Sequence, residues 1–275
     1  MELKNKHIVV VGLGRTGKAV CRFLLHHQAR VTASEKKPLS ELLADNEIRN
    51  LQQAGLTIEA DGHRWETLAQ AELIILSPGV PPLPELEKLK AQGKPIMPEI
   101  ELAYRFLQGK IVGVTGSNGK STTATLAHKI LAEGGLKAYL AGNIGFPLIN
   151  FVHSSSPSDV YVVELSSFQL TYTEKFKAAV AVLLNITPDH LDWHPSFDHY
   201  KKAKQKLILT QAESSLAILN RDDPEVWPLH SRRKGPVWAF SLTQPVSKGM
   251  YFQKEWLYLH LDQQEKFLQY QEIPL

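Results

Sequence analysis

Short apolar runs alternate with helical patterns along most of the chain. The apolar runs at residues 7–11, 73–76 and 111–114 are typical of buried strands. Helical patterns lie between and after such runs, at about residues 16–27, 41–54, 84–91 and 197–211. Because strands that alternate with helices form parallel sheets with helical crossovers, the pattern predicts an α/β fold. A first unit extends to about residue 108, and a second begins with the run at residues 111–114.

The pattern changes to strict alternation towards the end of the chain. Between residues 250 and 270, leucines at every second position alternate with aromatic and polar side chains. This period of two predicts antiparallel strands, with a turn near residues 262–264. The sequence therefore predicts two α/β domains, at residues 1–108 and 109–275, the second with an antiparallel β extension.

Composition excludes several classes of protein. Of 275 residues, 43% are hydrophobic, and a net charge of +3 is too small to indicate nucleic-acid binding. The lone Cys21 allows no internal disulfide, which favours the reducing cytoplasm. The polar N-terminus is unlike a signal peptide, and the longest apolar run, residues 178–184, is too short to cross a bilayer. We therefore expect a cytoplasmic monomer without a membrane or nucleic-acid partner.

A glycine-rich loop follows the first apolar run. Residues 12–17 read G-x-G-x-x-G between a predicted strand and a predicted helix, and Glu35 follows about twenty residues later. Glycines let such a loop approach a diphosphate, and an acid at this spacing meets a ribose hydroxyl. The pattern predicts a Rossmann-like nucleotide site but does not choose NAD over another diphosphate nucleotide. An NAD-dependent oxidoreductase therefore stays among the candidate functions. The alternative explanation of the motif is a tight turn that binds no ligand.

A second glycine-rich loop, TGSNGKST at residues 115–122, lies between a predicted strand and a predicted helix. Backbone N–H groups of such loops cradle phosphates, Lys120 reaches the β- and γ-phosphates, and the Ser121 hydroxyl binds Mg²⁺. Glycines at positions 113 and 116, rather than at 114, make it a variant of the usual loop. It predicts ATP binding by a P-loop ATPase-type central domain. Two nucleotide loops in one chain argue against a simple dehydrogenase.

Polar side chains follow two further predicted strands. Glu164 ends the run at residues 160–163, whose strand we expect beside the ATP-loop strand, and ligands of parallel sheets bind at this end of the strands. Mg²⁺ coordination is one explanation of this acid, and a solvated surface acid is the other. Residues 185–194, NITPDHLDWH, form either a solvated loop or one that carries a ligand, and their spacing does not match a zinc site.

Lys204 interrupts an apolar stripe on the helix predicted at residues 197–211. Phe197 and Tyr200 share its face, whereas Lys202 points to the opposite side. One interpretation, which the pattern alone favours, is a snorkelling lysine with its amine in water. The other is a desolvated amine, whose lowered pKa allows reaction with CO₂ to give an anionic carbamate suited to Mg²⁺.

Several motifs of this chain resemble those of the Mur ligase family, and they occur in the family's order. The matching stretches are GLGRTG, SPG, GVTGSNGKSTT, GNIGFP, VVELSSFQL, LLNITPDHLDWH, YKKAKQKL and LNRDD. The combination of GLGRTG with ELSSFQL is most similar to the branch of the family that adds D-glutamate. The resemblance implies an ATP-dependent, amide-bond-forming ligase of peptidoglycan precursor synthesis. Its substrates would be UDP-N-acetylmuramoyl-L-alanine, D-glutamate and ATP.

The resemblance also implies roles for individual residues. Positions that match substrate contacts are Gly14, Arg15, Thr16, Glu35, Ser77, Gly79, Asn143 and Gln169. Positions that match the ATP loop are Gly116, Ser117, Asn118, Gly119, Lys120, Ser121, Thr122 and Thr123. Lys120, Glu164, His190 and Lys204 match catalytic positions, and two Mg²⁺ sites would use Ser121, Glu164, His190 and Lys204 as a carbamate. Glu35 lies in a region where the family's pattern has an aspartate.

The family also has a third domain, which binds the incoming amino acid and helps to enclose ATP. The matching motifs end before that domain, and the predicted hairpin near residue 270 has no closing element. We therefore expect these 275 residues to bind nucleotides without completing ligation. A non-catalytic nucleotide-binding fragment is accordingly a second alternative.

Overall fold

The computed structural model describes residues 1–81, 83–261 and 264–269, which form two compact units. The first unit consists of Met1–Gln108 and takes in two later segments, Ala141–Pro157 and Tyr172–Phe176. The second unit holds the rest of the described chain.

The described strands of the first unit form a parallel sheet in the order β3-β2-β1-β4-β5. They are β1 (His7–Val11), β2 (Arg30–Ser34), β3 (Thr57–Glu59), β4 (Leu73–Leu76) and β5 (Ile96–Pro98). The order reverses at β1, which has β2 on one side and β4 on the other. Such a switch point opens a crevice at the carboxyl ends of the strands. The predicted Rossmann-like parallel sheet is thus confirmed.

Helices connect the strands of the first unit. They are α1 (Arg15–His26), α2 (Leu39–Leu42), α3 (Asn46–Gln53), α4 (Trp65–Gln70), α5 (Pro84–Ala91) and α6 (Glu99–Tyr104). The single helix predicted at residues 41–54 is wrong, because the Asp45 side chain accepts a hydrogen bond from the Glu47 N–H and caps a new helix. Pro84 begins α5 where the sequence predicted it.

The described strands of the second unit follow the order β14-β13-β12-β11-β10-β9-β6-β8-β7. They are β6 (Lys110–Thr115), β7 (Ala138–Gly142), β8 (Val160–Glu164), β9 (Val180–Leu183), β10 (Leu216–Asn220), β11 (Val237–Ser241), β12 (Gly249–Gln253), β13 (Trp256–His260) and β14 (Gln264–Gln269). From β8 through β6, β9, β10 and β11 to β12, neighbouring strands pair in parallel. By contrast, β13 pairs antiparallel with both β12 and β14. Both the predicted neighbourhood of β6 and β8 and the antiparallel extension are confirmed.

The hairpin between β12 and β13 turns at Lys254 and Glu255, whose φ angles are +47° and +65°. Positive φ at both central residues matches the twist of the flanking strands. The turn predicted near residues 262–264 falls on residues 262 and 263, which lie outside the described residues.

Helices of the second unit flank the loops that follow its parallel strands. They are α7 (Lys120–Glu133), α8 (Ser167–Thr171), α9 (Phe197–Leu209) and α10 (Leu229–Arg232). The segment Ala141–Pro157 of the first unit contains a 3₁₀ helix, Leu148–Ser154. Within the described ranges, no helix has the length and apolarity that crossing a membrane requires.

Candidate functional site

A cleft of about 470 Å³ lies in the first unit, where β1 and β4 end at the switch point. It brings together all but one of the residues predicted to contact the substrate, namely Gly14, Arg15, Thr16, Glu35, Ser77, Gly79 and Asn143. Asn143 reaches the cleft on the later segment that joins the first unit. The exception is Gln169, which lies in the second unit.

The loop after β1 is held by hydrogen bonds to residues that follow β2 and β4. The Glu35 carboxylate accepts hydrogen bonds from the Leu13 N–H at 2.7 Å and from the Lys36 N–H at 2.8 Å. The Ser77 hydroxyl donates to the Gly12 carbonyl at 2.7 Å. Glu35 therefore already organises the loop that leads into α1, besides lining the cleft.

Gly17 and Gly14 occur in this loop for different structural reasons. A Cβ at Gly17 would lie 1.9 Å from the Gly12 carbonyl oxygen, so only glycine lets α1 approach β1 this closely. Gly14 precedes α1, and a Cβ added there would meet nothing within 4 Å. It caps α1 without a side chain, which leaves the positive end of the helix open to an anion.

The loop between β6 and α7 is held by the residues that follow β9. The Asn185 side chain accepts from the Asn118 N–H at 2.8 Å and donates to the Asn118 carbonyl at 3.1 Å. The Ser117 hydroxyl lies 2.8 Å from the Tyr200 hydroxyl and accepts from the Thr187 N–H at 2.9 Å. Gly119 has a φ of +79°, which glycine adopts without strain. The loop is therefore a preformed backbone cradle.

Two polar side chains at the start of α7 contact β8 and the preceding loop. The Ser121 hydroxyl donates to the Glu164 carboxylate at 2.7 Å, and Glu164 is 1% exposed. The solvated-acid interpretation of Glu164 is thus wrong. The Lys120 ammonium folds back to the Ser117 carbonyl at 2.8 Å. A hydroxyl and a carboxylate side by side are oxygen ligands of the kind Mg²⁺ prefers.

Lys204 of α9 is buried, with 1% of its surface exposed. Its amine donates to the Gly116 carbonyl at 2.7 Å and lies 4.8 Å from the centre of the Tyr200 ring. The snorkelling interpretation, which the sequence pattern alone favoured, is therefore wrong. Burial lowers the pKa of the Lys204 amine to about 7, and the nearby Lys120 charge acts in the same direction. A substantial neutral fraction at neutral pH makes this amine chemically reactive.

The polar stretch after β9 divides into an exposed and a buried part. The His190 side chain is 46% exposed, 3.5 Å from the Asp189 carboxylate, and its ring packs against Phe168. His194 is 1% exposed, and its ring nitrogens lie 2.8 Å from the Ser167 hydroxyl and from His199 Nδ1. Burial and the neighbouring positive charges lower the pKa of His194 to about 4. In the part of the chain that the structure describes, no three acidic, histidine or cysteine side chains converge to hold a metal ion.

Gln169 is buried on α8, beside the polar stretch. Its carbonyl oxygen accepts from the Ser166 N–H at 3.0 Å and the Ser166 hydroxyl at 3.1 Å. Its Nε2 atom is buried and has no hydrogen-bond partner among the residues described. An amide donor of this kind is costly to leave unpaired, which marks it as a candidate ligand contact.

Sequence reasoning missed the side chains that brace the ATP loop. Asn185 and Thr187 stood in a motif that we interpreted only as a ligand-bearing or solvated loop. Tyr200 was counted as part of an apolar stripe, although its hydroxyl on that stripe was a signal that it has a buried polar partner. His194 gave no signal beyond its place in the motif.

Comparison with protein families and known proteins gives consistent matches. Residues 114–274 match the Mur ligase middle domain, and residues 6–98 match the Mur ligase MurD-like N-terminal domain. The UDP-N-acetylmuramoylalanine--D-glutamate ligase of Koribacter versatilis is 41% identical over 259 residues, 94% of this chain and 57% of that protein. The protein of the same name from Geotalea uraniireducens is 44% identical, over 92% of this chain and 55% of its own length. The chain thus spans slightly more than half the length of these relatives.

The fold is also similar to that of solved structures. UDP-N-acetylmuramate:L-alanyl-gamma-D-glutamyl-meso-diaminopimelate ligase from Neisseria meningitides superposes with a TM-score of 0.58 at 17% identity. The match covers 94% of this chain and 85% of that one. At this identity the similarity establishes a shared fold.

Proposed function

The chain belongs to the Mur ligase family, and we propose that it carries the UDP-substrate and ATP sites of a ligase that joins D-glutamate to UDP-N-acetylmuramoyl-L-alanine. The observation that carries the proposal is the presence in one chain of a switch-point nucleotide cleft and a separate braced P-loop. An oxidoreductase needs only the first of these. The names of the curated relatives support the choice of D-glutamate.

The cleft of the first unit supplies the groups that a UDP-sugar requires. The diphosphate lies at the start of α1, where Gly14, Arg15 and Thr16 offer backbone N–H groups and one cationic side chain. Glu35 accepts from a ribose hydroxyl while it keeps the Leu13 N–H. Asn143 lies towards the muramoyl-alanine end.

The reaction that we propose begins with attack of the terminal alanine carboxylate on the γ-phosphate of ATP. The products are an acyl phosphate and ADP, and the amine of D-glutamate then displaces phosphate to form the amide. Both reactants of the first step are anions, so their approach requires positive charge. Lys120 and the N–H groups at the start of α7 supply it to the phosphates. The buried Nε2 of Gln169 is available as a donor to the reacting end.

Magnesium fits the oxygen ligands of the second unit. Ser121 and Glu164, already 2.7 Å apart, would hold one ion with the phosphates of ATP, and His190 and a carbamate of Lys204 would serve a second. When bound, Mg²⁺ neutralises phosphate charge and polarises the phosphoryl oxygens. The carbamate forms when the neutral Lys204 amine adds to CO₂ and releases a proton. This modification converts the cationic side chain into an anionic one, whose two oxygens would be available as ligands.

Location and assembly belong to the same proposal. ATP and UDP-sugars are cytoplasmic substrates, and the single thiol, Cys21, is unpaired and buried, as in proteins of reducing compartments. We place the reaction in the cytoplasm and expect a monomer that binds neither nucleic acid nor membrane.

Calorimetric titration of the chain with UDP-N-acetylmuramoyl-L-alanine, and separately with NADH, tests the substrate site. We expect binding of the UDP-substrate and none of NADH. UDP-glucose is the matched control, because it shares the nucleotide and lacks the lactyl-alanine group. Tight binding of NADH without binding of the UDP-substrate would overturn the proposal in favour of an oxidoreductase.

Phosphate release tests how far the chemistry proceeds in this chain. We expect no D-glutamate-dependent release of phosphate from ATP and UDP-substrate, since this chain spans slightly more than half the length of the relatives that it matches. Sustained release that requires D-glutamate would show that the 275 residues are sufficient for ligation.

A further inference from the structure

Helix α6 begins with a buried carboxylate that the proposed chemistry does not use. Glu99 is 1% exposed and directly follows Pro98, the last residue of β5. Pro98 pairs with Leu76 of β4, the residue before Ser77 of the cleft. Glu99 therefore lies at the same edge of the sheet as the cleft, one strand further out.

The Glu99 carboxylate binds the start of the 3₁₀ helix in the segment Ala141–Pro157. It accepts a hydrogen bond from the Ile149 N–H at 2.6 Å and another from the Leu148 N–H. These are the first residues of the helix Leu148–Ser154, whose N–H groups have no partner within the helix itself. The carboxylate thus caps this helix from a distant part of the chain, as an acidic N-cap residue does locally.

The residues between the cleft and this helix form a tight turn. The Gly142 N–H donates to the Phe146 carbonyl at 3.1 Å, and Gly142 and Gly145 have φ angles of +97° and +70°. Asn143 lies in this turn, in the wall of the cleft. One end of the turn continues from β7, and the other leads through Pro147 into the helix held by Glu99.

The charge of Glu99 has no cation partner in the described part of the chain. Its contacts are backbone amides, and burial raises the pKa of its carboxyl group to about 7. A buried carboxylate that lacks a counter-ion is costly, so its hydrogen bonds to the 3₁₀ helix are the interactions that keep it there. Removal of the carboxylate would leave the Leu148 and Ile149 N–H groups buried and unpaired.

We propose that Glu99 is a positioning residue of the substrate site, which holds the turn that presents Asn143 to the cleft. The identity of the ligand rests on the proposed function, whereas the link from Glu99 to the turn does not. Glu99 acts through the turn and does not touch the substrate.

The test compares Glu99→Leu and Glu99→Gln with a control of similar burial on the same helix, Leu102→Ala. Leu102 is fully buried and belongs to neither the turn nor the cleft. Glu99→Leu removes both acceptor oxygens, and Glu99→Gln keeps one. Each variant is titrated with UDP-N-acetylmuramoyl-L-alanine and with an ATP analogue, at a temperature where circular dichroism shows it folded. Backbone amide exchange of residues 142–149 is measured without ligand.

We expect Glu99→Leu to weaken binding of the UDP-substrate about tenfold or more, the effect of lost buried hydrogen bonds. Binding of the ATP analogue should stay unchanged, and exchange at residues 142–149 should accelerate relative to the rest of the first unit. Glu99→Gln should show smaller changes in the same direction. Leu102→Ala should keep the wild-type affinity for the UDP-substrate even where it lowers the melting temperature as much.

Equal affinities for Glu99→Leu and Leu102→Ala would overturn the proposal, as would a parallel loss of binding for both ligands. If Glu99→Leu does not fold, Glu99→Gln decides, because unchanged exchange at residues 142–149 in that variant also refutes the link. If the wild-type chain does not bind the UDP-substrate, the proposed function fails, and the exchange measurement still judges the role of Glu99.

Discussion

At the scale of single residues, two buried bases of the second unit hold their protons less tightly than they would in water. Lys204 and His194 are each 1% exposed, and burial is the largest cause of the lowered pKa of both. The consequences differ. A neutral lysine is a nucleophile, whereas a neutral histidine is a hydrogen-bond partner that resists protonation.

Lys204 should carry a carbamate when the chain is kept in ¹³C-bicarbonate. Because the pKa of its amine is about 7, the neutral, reactive fraction grows as the pH rises above 7, and the carbamate carbonyl signal should grow with it. Carbon-13 NMR at pH 6.5 and 8.5 measures this signal. Lys204→Arg should abolish it, and the control Lys202→Arg, at a side chain 73% exposed, should not. A signal of equal size in both variants would exclude the modification at Lys204.

His194 should make stability fall as the solution becomes acidic. Its pKa is about 4 in the folded chain and 6.5 when unfolded, so between these values only the unfolded state takes up the proton. The contribution of neutral His194 to stability is therefore fully present above pH 6.5 and is lost as the pH falls through 4. The total loss in the free energy of unfolding is about 3 kcal/mol. Urea unfolding from pH 7.5 to 4 measures this loss.

The variant His194→Gln should flatten that pH dependence, although it lowers stability at pH 7.5. His230→Gln is the control, because His230 is exposed and should leave the slope unchanged. If the stability of His194→Gln fell with decreasing pH as steeply as that of the wild type, other groups would control the loss of stability in acid.

At the scale of elements, the contact of α1 with β1 depends on one glycine. A Cβ at Gly17 would overlap the Gly12 carbonyl, whereas a Cβ at Gly14 would meet nothing within 4 Å. Gly17→Ala should therefore destabilise the chain by at least about 3 kcal/mol, since helix and strand must separate. Gly14→Ala should change stability by less than about 0.5 kcal/mol and weaken UDP-substrate binding instead. Chemical unfolding and calorimetry separate the effects, and equal destabilisation by both would contradict this account of the loop.

The elements that the sequence predicted well are those with a local cause. The loops at Gly12–Gly17 and residues 115–122 follow from glycine spacing, and α5 from Pro84 at its first position. The helix predicted at residues 41–54 was wrong because a single side chain, Asp45, caps a new helix inside an otherwise helical pattern.

The elements and contacts that were not predicted depend on residues far apart in the chain. Helix α6 has six residues, too few for a clear helical period, and its buried acids bind later segments of the chain. Tyr200 meets Ser117 across 83 positions, and Lys204 meets Gly116 across 88. Pattern alone assigned Lys204 to solvent, because a stripe on one helix does not reveal what packs against it.

At the scale of the whole molecule, the first unit is not a continuous piece of sequence. It takes in Ala141–Pro157 and Tyr172–Phe176, and the two acids of α6 each bind one of these segments. Glu99 binds the first segment, and Glu101 accepts from the N–H groups of Glu174, Lys175 and Phe176. A first domain defined by sequence alone therefore lacks Asn143 and leaves the Glu99 carboxylate without the backbone N–H groups that it binds. Glu101 would keep Arg105, next to its own helix, as a partner.

The two proposed nucleotide sites should be separable by mutation, because the cleft and the loop between β6 and α7 each belong to one unit. Arg15 and the rest of the cleft lie in the first unit, whereas Lys120 and its loop lie in the second. Loss of a charge-assisted contact to phosphate costs at least about tenfold in affinity. Arg15→Ala should thus weaken binding of the UDP-substrate and leave ATP binding unchanged. Lys120→Ala should weaken ATP binding and leave binding of the UDP-substrate unchanged.

Calorimetric titration of both ligands against both variants and the double variant measures the separation. The double variant should show the two losses independently, each equal to that of its single variant. If Lys120→Ala also weakened binding of the UDP-substrate about tenfold, the two sites would be energetically coupled. Coupling of that size would require an element whose conformation both nucleotides bias, and the turn at Asn143, held by Glu99, would be the first element to examine.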